Sequence, residues 1–167
     1  MSRAFVREGT GDLDQLPDLP VSPHPNYVTP RGLAALQTRL RDLQDRLTNL
    51  RARTDRLDKL PEAAADRDIR YVETRLRSAV PVDPRQSPLR EVAFGLRVTV
   101  LDPAGQQCSY EITGEDEADA ALGRIAPHSP LARALIGAHV ADIVTWRRPN
   151  GAISLTILAI SHADPQA

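Results

Sequence analysis

Three carboxylates lie close together in the chain around Pro61. Asp58 begins the sequence DKLP at residues 58–61, Asp55 precedes it by three residues and Glu62 follows it directly. Hard cations such as Mg²⁺ prefer oxygen ligands, and a metal ion held by paired carboxylates can activate water. Acids are also common at helix ends, where Glu62 in a first turn would suit the helix dipole. These three residues are candidates for metal chemistry, with a structural role as the alternative.

Arginines are concentrated in the same part of the chain. Arg46, Arg53 and Arg56 are candidate contacts to phosphate, although such charges are more often a solvated helix face. The formal net charge is −1, so the overall charge predicts neither nucleic-acid nor membrane binding.

Other reactive side chains form no recognisable site. Cys108 is the only cysteine, which excludes an internal disulfide and a cysteine zinc site, and nothing in the sequence around it predicts activation. The histidines, at positions 24, 128, 139 and 162, lack metal-ligand spacing. We therefore predict no metal site on histidine or cysteine and no enzymatic centre of the chain's own.

A ladder of leucines is the element that must position the acids and arginines. Leucines recur at alternating steps of three and four from residue 33 to residue 57, interrupted only at Thr54. This a/d seam requires a helical partner, and residues 65–79 repeat the same steps. Thr29 with Pro30 is typical of a helix start, and Pro61 favours a reversal. We predict an antiparallel coiled-coil hairpin over residues 29–80, with arms of 29–57 and 61–79 and a tip near 57–62.

After residue 91 the periodicity becomes that of strands. Residues 97–101 and 108–112 predict a β-hairpin, and two more strands are predicted at 142–146 and 153–158. The segment SPLARALIG at 129–137 is typical of a short helix with a serine cap and a glycine end. The predicted class is α+β: a flexible arm over 1–28, the hairpin, a linker over 81–91 and a small domain over 92–163.

Composition is that of an ordinary globular protein. Hydrophobic residues make up 41% of the 167 residues, charged residues 26% and aromatic residues 4%. No apolar run approaches the roughly 20 residues needed to span a bilayer, and the N-terminus lacks a signal-peptide core. We expect a cytoplasmic protein with no membrane partner.

Several segments together resemble the Gre transcription elongation factors of bacteria, the GreA and GreB type. YVTPRGL at 27–33 is similar to that family's opening, and FGLRVTV at 94–100 to the start of its second domain. ITGEDEA at 112–118 is similar to an acidic run of the family, and SPLARALIG at 129–137 is the most specific match. Ala126 and Ala141 stand where the family tends to have serine and glycine or aspartate.

The resemblance implies a protein that docks on RNA polymerase through an FKBP-like C-terminal domain. The hairpin would then enter the secondary channel, with nascent RNA as a further contact of Arg46, Arg53 and Arg56. The docking positions implied by the resemblance are Glu115, Asp116, Glu117, Ser129, Pro130 and Leu131. The protein itself would hold no cofactor: in the family the acids at the hairpin tip share a catalytic Mg²⁺ with the polymerase, and the nuclease activity belongs to the polymerase.

At the tip the chain departs from the family. The usual acidic motif is absent, and the hairpin is roughly fifteen residues shorter, which retracts its tip by about 11 Å. A carboxylate must lie within about 2–2.6 Å of a metal to bind it. We therefore expect a monomeric regulator of elongation or initiation that stimulates transcript cleavage poorly.

Two alternatives stay open at this point. The first is an active cleavage-stimulating factor in which Asp55, Asp58 and Glu62 replace the usual tip acids. The second is a scaffold in which the leucine seam pairs between two chains, because the second arm is shorter than the first.

Overall fold

The computed structural model describes residues 15–54 and 58–163. In chain order its helices and strands are β1 (Asn26–Val28), α1 (Pro30–Arg51), α2 (Leu60–Ser78), β2 (Ala79–Pro81), β3 (Leu96–Leu101), β4 (Gln107–Ile112), β5 (Arg124–Ile125), α3 (Pro130–Leu135), β6 (Ile143–Arg148) and β7 (Gly151–His162). Short 3₁₀ turns cover Pro84–Gln86, Glu115–Glu117 and Ala120–Leu122. The predicted α+β class is confirmed.

Helices α1 and α2 pack against each other and are called the helical pair. Leu36, Leu47 and Val72 are buried in the pair, and the remaining leucines of α1 are half-buried. Arg51 at the end of α1 forms an ion pair of 2.9 Å with Asp66 near the start of α2, so the two helices run in opposite directions. The leucine seam of α1 is therefore covered within one chain.

The helix starts follow local sequence signals, but one helix end does not. The Thr29 hydroxyl accepts a hydrogen bond from the Gly32 amide at 2.9 Å, and Pro30 opens α1 as predicted. The same helix ends at Arg51, whereas the leucine pattern predicted an arm reaching Leu57. The reason is that an antiparallel connection needs non-helical residues before α2, and the periodicity cannot show where they begin. Leu57 itself lies outside the described residues.

A two-stranded parallel sheet joins the predicted arm to the end of the helical pair. Asn26 is paired with Ala79, Tyr27 with Val80 and Val28 with Pro81. Both strands are three residues long, too short to produce a visible alternation. The sequence therefore did not predict this pairing, and residues 26–28 were expected to belong to a flexible arm.

The four predicted strands of the second half form one sheet with a short fifth strand. Their order is β5-β4-β3-β7-β6, with β3 antiparallel to both neighbours. The buried face of this sheet and the inner side of α3 share one core, to which Val98, Ile112, Leu135 and Ile157 contribute. Residues 92–163 are called the sheet domain.

Ala141 has a left-handed backbone, with φ of +74°. A side chain in this region costs about 1–2 kcal/mol, whereas glycine adopts it freely. We expect Ala141→Gly to raise the free energy of unfolding by about 0.5–1 kcal/mol, as measured by urea denaturation. The matched control is Ala159→Gly, at an exposed strand position without positive φ, which should lower stability by about 0.5–1 kcal/mol. Equal effects of the two changes would contradict this account.

Candidate functional site

A groove lies beside the start of α3 and is called the α3 groove. Its volume is about 690 Å³. Its walls come from β4, β5, the start of α3, the end of β6 and the turn after β6. The lining residues include Tyr110, Ile125, Ser129, Pro130, Leu131, Trp146, Arg147 and Arg148. The structure thus brings three predicted docking residues together with two aromatic residues and two arginines.

Local capping positions the start of α3. The Ser129 hydroxyl accepts a hydrogen bond from the Ala132 amide at 3.2 Å, and Pro130 occupies the first helical position. Leu131 is only 5% exposed and belongs to the core, whereas Pro130 is exposed. Of Ser129, Pro130 and Leu131, Pro130 is therefore the residue best placed to touch another molecule.

The rim of the groove is basic. The guanidinium of Arg148 lies 5.3 Å from the centroid of the Trp146 ring, and Arg147 is exposed beside it. On the opposite wall, burial and the neighbouring Cys108 raise the pKa of Tyr110 above its usual value. The groove therefore offers an apolar, partly aromatic wall under two positive charges.

The acidic turn Glu115–Glu117 faces the helical pair. Arg75 on α2 is only 1% exposed, and its Nε donates to Asp116 at 2.5 Å. Its Nη2 donates to Glu115 at 3.2 Å and to the side-chain oxygen of Asn26 at 2.6 Å. Tyr71, one turn earlier, donates its hydroxyl to Asp116 at 2.7 Å. Burial and the hydrogen bond to Asp116 raise the pKa of Tyr71.

The start of α1 forms a second set of contacts to the same turn. Arg31 donates through Nε to Glu117 and through Nη2 to Glu111, both at 2.6 Å. The Thr29 hydroxyl donates to Glu117 at 2.7 Å. Partial burial lowers the pKa of Arg31, but Glu117 and Glu111 more than offset this and keep it above its usual value. This second set and the contacts of Arg75 and Tyr71 are together called the interdomain latch.

The latch was not predicted from the sequence. The carboxylates of the acidic turn bind arginines of the same chain. The contact of this turn with the polymerase, which the family resemblance implied, stays a prediction. One signal could have shown the pairing. Arg75 follows Val72 by three residues and so lies on the apolar face of α2, where an unpaired charge would be costly.

The tip candidates are separate from this site. Asp58 is exposed and accepts a hydrogen bond from the Leu60 amide at 2.9 Å, and Glu62 lies in the first turn of α2. Arg46 and Arg53 are exposed toward the other end of α1 from the latch. Asp55 and Arg56 lie outside the described residues. Asp58 thus has a local role in starting α2, and the metal role of these acids stays untested.

Over residues 15–54 and 58–163, no helix combines the length and apolar character needed to cross a membrane.

Comparisons with known proteins agree with the motifs. A family model described as "Transcription elongation factor, GreA/GreB, C-term" matches residues 86–162. Transcription elongation factor GreB of Neisseria meningitidis serogroup B is 34% identical over 153 residues, which cover 82% of this chain and 94% of that protein. Transcription elongation factor GreA of Alkalilimnicola ehrlichii is 36% identical over 97 residues, or 57% of this chain and 61% of that protein.

Among solved structures, Thermus aquaticus Gfh1 is 23% identical and covers 83% of this chain and 98% of its own, with a TM-score of 0.41. The relationship rests on the sequence matches, above all on the GreB relative that aligns along nearly its whole length. The chain belongs to the GreA/GreB family of transcription elongation factors.

Proposed function

We propose that this protein regulates transcription by binding RNA polymerase at the secondary channel, without efficient stimulation of transcript cleavage. The observation that carries the proposal is the α3 groove, where the family-like residues Ser129, Pro130 and Leu131 border an open apolar wall. The sheet domain would serve as the FKBP-like docking domain and the helical pair as the coiled-coil hairpin in the channel.

The chemistry of the groove specifies the polymerase segment that fits it. Tyr110, Ile125 and Trp146 provide contact area for an apolar side chain. Arg147 and Arg148 at the rim favour carboxylates flanking that side chain, because opposite charges steer association and fix register. The occupant we infer is therefore a polymerase segment with an exposed apolar residue between acids.

The interdomain latch gives docking a mechanical consequence. Arg31 and Arg75 tie both helices to the acidic turn of the sheet domain through short, largely buried ion pairs. A polymerase that holds the sheet domain would thereby also set the direction of the helical pair. The effect on transcription would come from occupying the channel, and the protein would act through the polymerase without being an enzyme or holding its own cofactor.

The tip argues for a regulator without cleavage activity. Asp58 is engaged by the Leu60 amide at the start of α2, and α1 ends at Arg51. We expect no transcript cleavage above background in a stalled, backtracked elongation complex with Mg²⁺ and cognate polymerase. The same sample should displace a cleavage-competent Gre factor in a competition assay.

Alanine variants of the two tip acids distinguish a regulator without cleavage activity from an active cleavage factor. Asp58→Ala and Glu62→Ala should each displace the cleavage-competent Gre factor with an inhibition constant within about twofold of the wild-type value, because neither residue lines the groove. Cleavage by the wild type that disappears in either variant would instead establish a tip mechanism. Absence of both cleavage and competition would refute polymerase binding altogether.

The dimeric scaffold is disfavoured by one observation. Leu36 and Leu47 are already buried in the helical pair, so the seam needs no second chain. We expect a monomer whose mass is independent of concentration in analytical ultracentrifugation.

A further inference from the structure

The segment before β1 crosses the surface from the helical pair to the loop before α3. We call residues 16–24 the strap. At its first end, Arg70 of α2 donates through Nε to Asp18 at 2.6 Å and through Nη2 to the carbonyl of Leu16 at 2.9 Å. In its middle, the Ser22 hydroxyl donates to Glu115 of the acidic turn at 2.8 Å.

The last contact of the strap is at the loop before α3, residues 126–129, which is called the docking loop. The ring of His24 stacks on the ring of His128, with centroids 3.7 Å apart and an angle of 22° between the planes. His128 directly precedes Ser129, and its Nε2 is shielded from solvent. His24 therefore covers one side of the loop that carries Ser129 and Pro130.

Joining the two parts of the molecule does not require the strap. The interdomain latch already connects both helices to the sheet domain through carboxylates that are at most 26% exposed. The strap contacts are weaker in kind: Asp18 is 74% exposed, and a surface ion pair of this type contributes little and is screened by salt. Contacts of this strength can be broken by a competing partner.

We propose that the strap is a built-in cover of His128, in the loop before α3, and of Glu115, in the acidic turn, which the polymerase must displace before it can contact these two residues beside the open α3 groove. This inference rests on the proposed function and adds a form of autoinhibition to it. The apparent affinity of a partner equals its intrinsic affinity multiplied by the fraction of molecules in which the loop is uncovered. Releasing the strap should therefore strengthen binding without any new contact.

The test measures the affinity of labelled full-length protein for cognate RNA polymerase. Asp18→Ala removes the distant anchor and touches neither the latch nor the docking loop, and a gain in affinity that persists at high salt, where the change in net charge is screened, is attributed to the strap. We expect it to bind about two- to fivefold more tightly than the wild type, and the triple variant Asp18→Ala, Ser22→Ala, His24→Ala about three- to thirtyfold. Val21→Ala, at an exposed strap position, is the matched control and should change affinity by less than twofold.

The hydrogen-exchange rates of the backbone amides of residues 126–131 in the free protein provide a second, independent test of the cover. These amides should exchange faster in the triple variant than in the wild type if His24 covers the loop. Unchanged exchange, unchanged affinity or weaker binding of the triple variant would each overturn the proposal, and weaker binding would identify His24 as part of the docking surface. If no variant binds, the wild type included, the proposed function fails and the cover fails with it.

Discussion

Replacing Arg75 with methionine is expected to lower the free energy of unfolding by about 3–5 kcal/mol. The Arg75 side chain is 1% exposed, and its guanidinium donates hydrogen bonds to Asp116, to Glu115 and to the side chain of Asn26. Methionine matches the aliphatic part of arginine but removes the charged donor, so that Asp116 keeps only the Tyr71 hydroxyl and Glu115 only the Ser22 hydroxyl among the side-chain donors described above. Removing one partner of a buried ion pair is costly because the other charge remains desolvated.

Urea denaturation monitored by circular dichroism measures this loss. Arg77→Met is the matched control, because Arg77 lies in the same last turn of α2 but is exposed, and it should change stability by less than about 0.5 kcal/mol. Adding Asp116→Asn to Arg75→Met should recover part of the loss, since the uncompensated carboxylate is then neutral. A loss no larger than that of the control would show that the Arg75 half of the latch does not stabilise the packing of the helical pair on the sheet domain.

Reversing the charge at the rim of the α3 groove should have the largest effect on binding. We expect Arg147→Glu combined with Arg148→Glu to weaken affinity for RNA polymerase by about 100-fold at low salt. Like charges placed opposite each other in an interface cost several kcal/mol, and the change also removes the stacking of Arg148 on Trp146. The difference should shrink as the salt concentration rises, because exposed charges are screened.

Two further variants show whether this loss belongs to the groove. Arg90→Glu makes one such charge reversal, half of the charge change in the double variant, at an exposed position before the sheet domain and should reduce affinity by less than threefold. Pro130→Glu keeps a residue suited to a first helical turn but places a charge at the exposed edge of the groove, so it should weaken binding about tenfold. Equal affinity of the groove variants and Arg90→Glu would place the docking surface elsewhere.

Much of the fold could be predicted because its signals are local. Thr29 with Pro30 and Ser129 with Pro130 each cap a helix through an amide three residues away, so a few residues decide where each helix begins. The strands of the sheet domain alternate every second residue, and the leucine steps reveal a helix that must bury one face. The family could be inferred for the same reason, since its most specific motif is the continuous segment 129–137.

The functional geometry was decided by tertiary structure, because it joins residues that are far apart in the chain. Arg75 meets Asp116, Arg31 meets Glu117, and His24 meets His128, and each pairing spans a distance over which sequence spacing carries no information. The acidic turn shows the consequence most clearly. The family resemblance predicted a surface for a partner there, which stays a prediction, and only the folded chain shows that the same carboxylates also neutralise a buried arginine.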